Sequence, residues 1–134
     1  MIAVDSSVVV AGFASWHELH EAARVVLDGH PQAIGHAIVE SYSVLTRLPP
    51  PHRAAPGLVR EFLSERFPNP YLVLSGERLH DLLLDLVDAG VKGGASYDAL
   101  IALTAREYGA ELLSADRRAK MTYDVVGVRS RLLR

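Results

Sequence analysis

Short apolar runs alternate with segments of helical periodicity along this chain, and that alternation leaves few architectures open. Met1 to Asp5 reads as a short buried strand that runs into Ser6-Ser7-Val8-Val9-Val10, where serines after a strand signal a helix start. His17 to Leu27 places Leu19, Ala22, Ala23, Val26 and Leu27 at helical spacing, and Gly29 stops it. Gln32 to His36 is a second strand. A helix from Ile38 to Leu48 follows, with Val39, Tyr42, Val44 and Leu45 as its expected core side, and Pro49-Pro50-Pro51 breaks it. Leu58 to Phe67 is a further helix, and Tyr71 to Leu74 is a third strand. Arg78 to Ala89 is a helix whose inner face would be Leu79, Leu82, Leu83, Leu86 and Val87, with Gly90 as its stop. After Gly93-Gly94 a helix runs from Tyr97 to Tyr108, Glu111 to Ser114 is a fourth strand, and Asp124 to Val126 is a candidate fifth. Strands that alternate with helices predict an α/β fold, a three-layer sandwich around a mainly parallel central sheet. With 134 residues, no internal repeat and no dividing linker, the expectation is a single domain over residues 1–134.

Composition narrows the chemistry. A chain that is 49% hydrophobic and 22% charged has the balance of a globular protein rather than a disordered one. Without cysteine, disulfides and thiolate metal sites are excluded. The longest apolar stretches, such as Val8 to Ala14, are too short for a bilayer, and no charged leader precedes an apolar run. No membrane association is expected, and the predicted location is cytoplasmic. A formal charge of −2 gives no general attraction for nucleic acid, so any such contact must come from local basic clusters, bound cations or a partner chain.

Four carboxylates stand out by position. Asp5 ends the first strand and Asp116 lies just past the fourth. Asp98 lies in the first turn of a helix that Ser96 would cap, and Glu40 in the first turn of the helix after strand two. Taken singly, Asp5, Asp98 and Asp116 are equally explained as helix caps or first-turn acids favoured by the dipole, and Glu40 as a solvated side chain. Taken jointly they are harder to explain that way. In an open parallel sheet the strand ends that lead into helices lie on one edge, which is where ligands collect. At about 4 Å, each like-charge pair costs on the order of 4 kcal/mol at an effective dielectric of about 20. Either the acids are apart, or their pKa values rise, or a cation sits among them. Carboxylates without histidine or cysteine suit a hard cation, Mg2+ or Mn2+.

Several segments together resemble the PIN-domain family. Val4-Asp5-Ser6-Ser7 is similar to its opening motif, and Glu40 with Arg47 to its second. Tyr97-Asp98-Ala99-Leu100-Ile101-Ala102 is similar to the third, and Leu113-Ser114-Ala115-Asp116-Arg117 to the fourth. Order, spacing and length resemble VapC-type toxins of bacterial toxin–antitoxin pairs, over nearly the whole chain. The resemblance implies a PIN-like fold and a magnesium-dependent endoribonuclease, with Mn2+ as a substitute ion. It implies that Asp5, Glu40, Asp98 and Asp116 are metal ligands, direct or through water. It further implies an RNA substrate such as transfer or ribosomal RNA, a cognate antitoxin, and a homodimer. Antitoxin docking would fall on hydrophobic helical grooves, here the segments Ala11 to Leu27 and Leu58 to Phe67. Where some PIN domains place a further acid after the fourth motif, this sequence has Arg117-Arg118, which bears on a second metal position.

Around the acids, Ser6 and Ser114 are candidates to fix a carboxylate rotamer, with capping or turn formation as the alternative. Arg47 lies about two turns beyond Glu40 and is a candidate phosphate contact. Arg117, Arg118 and Lys120 form the densest basic cluster and border Asp116, as an RNA-backbone contact or a solvated surface. His17 and His20 have metal-ligand spacing without a third ligand, and His36 is the histidine nearest the predicted rim. Phe13 and Trp16 are read as core aromatics or as a platform for a partner. Two other functions compete, a phosphotransfer receiver-type domain and a catalytically silent PIN-like adaptor. The first lacks a second aspartate beside Asp5 and has only Lys92 and Lys120 to offer, and no Gly-x-Gly-x-x-Gly or Walker lysine supports nucleotide binding.

Overall fold

The computed structural model describes residues 1–134. Four parallel strands, β1 (Ile2–Val4), β2 (Gln32–Ala33), β3 (Glu111–Ser114) and β4 (Ser130–Leu132), form one sheet in the order β2-β1-β3-β4. Seven helices surround it: α1 (Ser6–Phe13), α2 (His20–Asp28), α3 (Gly35–Arg47), α4 (Pro56–Arg66), α5 (Gly76–Asp88), α6 (Ala95–Glu107) and α7 (Arg117–Val125). Successive strand residues point to opposite faces, and each face has its own core. Ala3 and Leu112 pack with Ala99, Ala102, Leu82 and Tyr123 on the α5–α6–α7 side. Val4, Ala33 and Leu113 pack with Val8, Leu27, Val59 and Leu63 on the α1–α2–α4 side. The result is the three-layer α/β sandwich that the alternating pattern predicts. No helix is long and apolar enough to cross a membrane.

Several expected elements change at their ends or in their kind. The third strand shrinks to a single parallel bridge between Ile34 and Leu72. The segment ends at Ser75, whose hydroxyl caps α5 by accepting from the Arg78 amide at 3.1 Å. The candidate strand at Asp124 to Val126 is instead the end of α7, because Asp116 nucleates a helix through that region; the last strand lies four residues further on. The α3 helix starts at Gly35, so His36 is helical rather than strand-terminal, and Glu40 falls in the second turn rather than the first.

The expected inner faces are corrected more sharply. On α3, Leu45 is buried, but Val39 and Tyr42 are exposed. On α5 only Leu82 is buried, while Leu79, Leu83 and Val87 are exposed. Periodicity locates an apolar stripe and does not say what covers it.

The α1–α2 pair packs closely because Gly12 lacks a side chain. A Cβ there would run into Leu27 Cδ1 and sit 3.3 Å from Leu27 Cγ, and Leu27 is itself enclosed. Alanine would favour the helix by about 1 kcal/mol, but overpacking costs about 1–3 kcal/mol. Gly12→Ala is therefore expected to lower the urea midpoint, by a net loss of up to about 2 kcal/mol. An unchanged or raised midpoint would mean that Leu27 has room to yield.

Candidate metal centre

Because every strand is parallel, the C-terminal ends of β1, β2 and β3 share one edge, and each predicted acid is reached from that edge. Asp5 follows β1 and caps α1, its Oδ1 accepting from the Val8 amide at 3.3 Å. Asp116 follows β3 and caps α7, its Oδ1 accepting from the Arg118 amide at 2.9 Å and the Ala119 amide at 3.3 Å. Glu40 projects from α3. Asp98 sits in the first turn of α6. Ser96 does not cap that helix; Gly94 holds the cap position without a side-chain bond. The capping explanation is thus literally true for Asp5 and Asp116, and it does not account for Asp98 or Glu40.

The environments differ. Asp5 is only 2% exposed. Burial pushes its carboxyl up from the usual carboxylate range, against the opposing pull of Ser114, Ser7, Tyr123 and the Val8 amide. Its Oδ1 also accepts from Ser7 Oγ at 2.5 Å, and its Oδ2 from the Tyr123 hydroxyl at 2.7 Å. Asp98 is half-buried, and its carboxyl is pushed up to about 6, first by burial and then by the charges of Glu40, Asp116 and Asp5. All three other acids are therefore close enough to Asp98 to repel it. The Tyr123 phenol is held well above its ordinary value by burial and by Asp5, which keeps it a proton donor.

Hydroxyls tie the acids together. Ser6 Oγ donates to Glu40 Oε1, which links the start of α1 to α3. Ser114 Oγ accepts from the Asp116 amide at 3.0 Å. Ser7 donates to Asp5 while accepting from the Ala115 amide at 2.7 Å. Neither Ser7 nor Tyr123 was singled out by the sequence pattern. The rings of His36 and Tyr97 stack in parallel, 5.5 Å apart, and join α3 to α6. His17 and His20 make local bonds to the Leu19 amide and the Ala11 carbonyl and stay away from the acids. Trp16 is half-exposed and packs on His52, while Phe13 meets Phe62 edge-on.

Charge pairing separates these four acids from seven others. Glu21, Asp28, Asp81, Asp85, Glu107, Glu111 and Asp124 each meet an arginine or lysine. Asp5, Glu40, Asp98 and Asp116 meet none. Even Arg117 and Arg118, adjacent to Asp116, form no ion pair with it. They occupy the first turn of α7, where the dipole favours acids rather than bases. Arg47 lies in the last turn of α3, an end where arginine is favoured, and forms no ion pair.

Unneutralised carboxylates with only oxygen donors fit a hard divalent cation. No three of them converge into a ready-made coordination shell.

The PIN domain family profile matches residues 2–125. The chain is 50% identical to ribonuclease VapC40 of Mycobacterium tuberculosis (strain CDC 1551 / Oshkosh) over 133 residues, which is 99% of each chain. It is also 46% identical to ribonuclease VapC27 of strain H37Rv over 129 residues, covering 95% of this chain and 93% of that relative.

Proposed function

The chain belongs to the PIN-domain family, and from that premise we propose that it is a magnesium-dependent endoribonuclease toxin of the VapC type, carried by one domain over residues 1–134 and silenced by a cognate antitoxin. The observation that carries this reading is Asp98. It is a half-buried carboxyl held up to about 6 by burial and three neighbouring acids, with no basic side chain to relieve it. A fold that keeps such a cluster bears a cost that a proton or a bound cation relieves, and at neutral pH the cation is the more effective of the two.

Asp5, Glu40, Asp98 and Asp116 are the residues that would hold Mg2+, with Mn2+ as a substitute. Such an ion supplies two things when bound, a water acidified towards neutral pH and relief of charge on phosphate oxygens. The protein's own residues set the geometry. Ser6 fixes Glu40, and Ser7 fixes Asp5. The α7 cap fixes Asp116. Arg117 and Arg118, exposed at a helix end that does not favour them, are suited to hold the RNA backbone on the approach to the acids. They also supply local positive charge on a chain of net −2. Arg47 is proposed as an outer phosphate contact.

Exposed apolar surface supports two partner sites. Val39 and Tyr42 on α3 and Leu79, Leu83 and Val87 on α5 are exposed apolar residues, beside an apolar groove of about 360 Å³ that includes Leu72 and Leu100. Patches of this kind mark interaction sites, and we assign this one to a homodimer. Trp16, Val25 and Leu58, exposed around α1, α2 and α4, are the counterpart for the antitoxin. The RNA is proposed to be structured, in the class of transfer or ribosomal RNA, and the location cytoplasmic.

The test is incubation of purified protein with total cellular RNA in Mg2+, with and without EDTA, followed by mapping of the cut ends. Discrete fragments in Mg2+ and none in EDTA are expected. Undiminished cutting in EDTA would remove the metal from the reading, and no cutting in either would leave the silent-adaptor alternative in its place.

A further inference from the structure

Tyr123 has a hydroxyl that packing does not explain. Its ring lies in the apolar cluster with Ala99, Leu112, Ala119 and Val126, and the residue is 1% exposed. Phenylalanine would fill that space. Yet the hydroxyl reaches across 118 positions of sequence to donate to Asp5 Oδ2 at 2.7 Å. We infer that Tyr123 is a positioning residue for the Asp5 carboxylate, holding Oδ2 in the orientation in which it meets a divalent cation. The inference rests on the metal-site reading above.

Acceptor arithmetic supports it. A carboxylate oxygen accepts about two hydrogen bonds. Oδ1 already takes the Ser7 hydroxyl and the Val8 amide, whereas Oδ2 takes Tyr123 alone. Oδ2 is thus the oxygen with an acceptor position left for a metal, and the phenol, by filling the other position, sets its direction. Water cannot take over that role at a carboxylate 2% exposed to solvent. The placement also couples two acids through one helix. Tyr123 lies seven residues beyond Asp116, about two turns and ~10.5 Å along α7, so the two share a face. Asp116 caps the start of that helix while Tyr123 grips Asp5 from further along. Any tilt of α7 would shift both acids together.

The experiment measures Mn2+ binding by isothermal titration calorimetry on wild type, Tyr123→Phe and Asp98→Asn, with a metal-free melting curve for each. Residues that orient metal ligands typically contribute about 10–100-fold to affinity. Tyr123→Phe is expected to weaken Mn2+ binding by that factor while still melting cooperatively. The Mn2+ concentration for half-maximal RNA cleavage should rise in parallel, with KM for RNA unchanged. Mn2+ affinity within about twofold of wild type for Tyr123→Phe, alongside lost binding in Asp98→Asn, would overturn the inference and leave the metal site standing. Equal Mn2+ binding by wild type and Asp98→Asn, or none by wild type, would remove the metal site and the inference with it. If Tyr123→Phe does not fold, 4-fluorophenylalanine installed at the same position fills the hydroxyl's volume without a donor and is read by the same criteria.

Discussion

Replacing Asp98 with asparagine is expected to abolish RNA cleavage and, in the same protein, to raise the melting temperature of the metal-free form. The two effects have one cause. Asp98 carries the repulsion of Glu40, Asp116 and Asp5 on top of its burial. Asparagine has nearly the same shape and no charge, so it removes the repulsion and, with it, the attraction for a cation. Discounted for a carboxyl that is half open to solvent, the relief is roughly 1 kcal/mol, or about 3–5 °C for a chain of this length. The loss of cleavage should exceed the about 10–100-fold typical of residues that merely orient a ligand. Asp85→Asn is the control, since Asp85 already meets Arg106 at 3.6 Å and takes no part in the cluster; it should change neither quantity. A folded Asp98→Asn protein that cuts RNA within tenfold of wild type would end the assignment of Asp98 to the chemistry. A lower metal-free melting temperature would mean that Asp98 is stabilised by contacts that outweigh its neighbours' charge.

This opposition of activity and stability also explains which parts of the molecule were legible beforehand. Asp5 and Asp116 were readable because they follow strands directly, and a parallel sheet forces such positions onto one edge. The strand Glu111–Ser114 was readable because Gly109 stops the preceding helix just before the Leu112-Leu113 pair. Asp98 was placed by the glycine pair before its helix, although the expected Ser96 cap does not form. What stayed hidden depends on contacts between distant residues. Tyr123 looks like any apolar position of a helix, and only the fold reveals that its hydroxyl ends on Asp5. Ser7 was overshadowed by Ser6 because adjacent serines are indistinguishable until the helix fixes which one faces Asp5 and the Ala115 amide.

The other failures concern what covers a surface. Leu79, Leu83 and Val87 have the spacing of a buried stripe but lie open on α5. The same is true of Val39 and Tyr42 on α3. A periodic pattern is set by the final burial of a face, including burial against another chain, so a lone sequence cannot separate core from interface. At Asp124 to Val126, the candidate fifth strand, the cap at Asp116 together with the packing of Tyr123 and Ala119 prevailed. Propensity gave way to tertiary contact there.

The same electrostatics give the metal a pH dependence of defined sign. The Asp98 carboxyl titrates near 6 in the folded chain and near 3.8 in the unfolded one. An acid whose folded value is raised binds its proton more tightly when folded. Its contribution to stability is therefore complete below about pH 4 and is lost as pH rises to about 6. In EDTA, the gap in melting temperature between Asp98→Asn and wild type should open across that window and stay level above it. Magnesium reverses the trend. At neutral pH the ionised cluster binds Mg2+, and an ion present at about 100 times its dissociation constant adds about 2.7 kcal/mol to the folded state. At pH 5 the proton on Asp98 competes with the ion, so most of that gain should disappear. Melting curves at pH 5 and pH 7.5, with and without Mg2+, measure both effects in one series. A magnesium-induced rise of equal size at the two pH values would place the ion away from Asp98. A rise that survives in Asp98→Asn at pH 7.5 would do the same, since that variant keeps Asp5, Glu40 and Asp116 and lacks only the charge on which the competition depends.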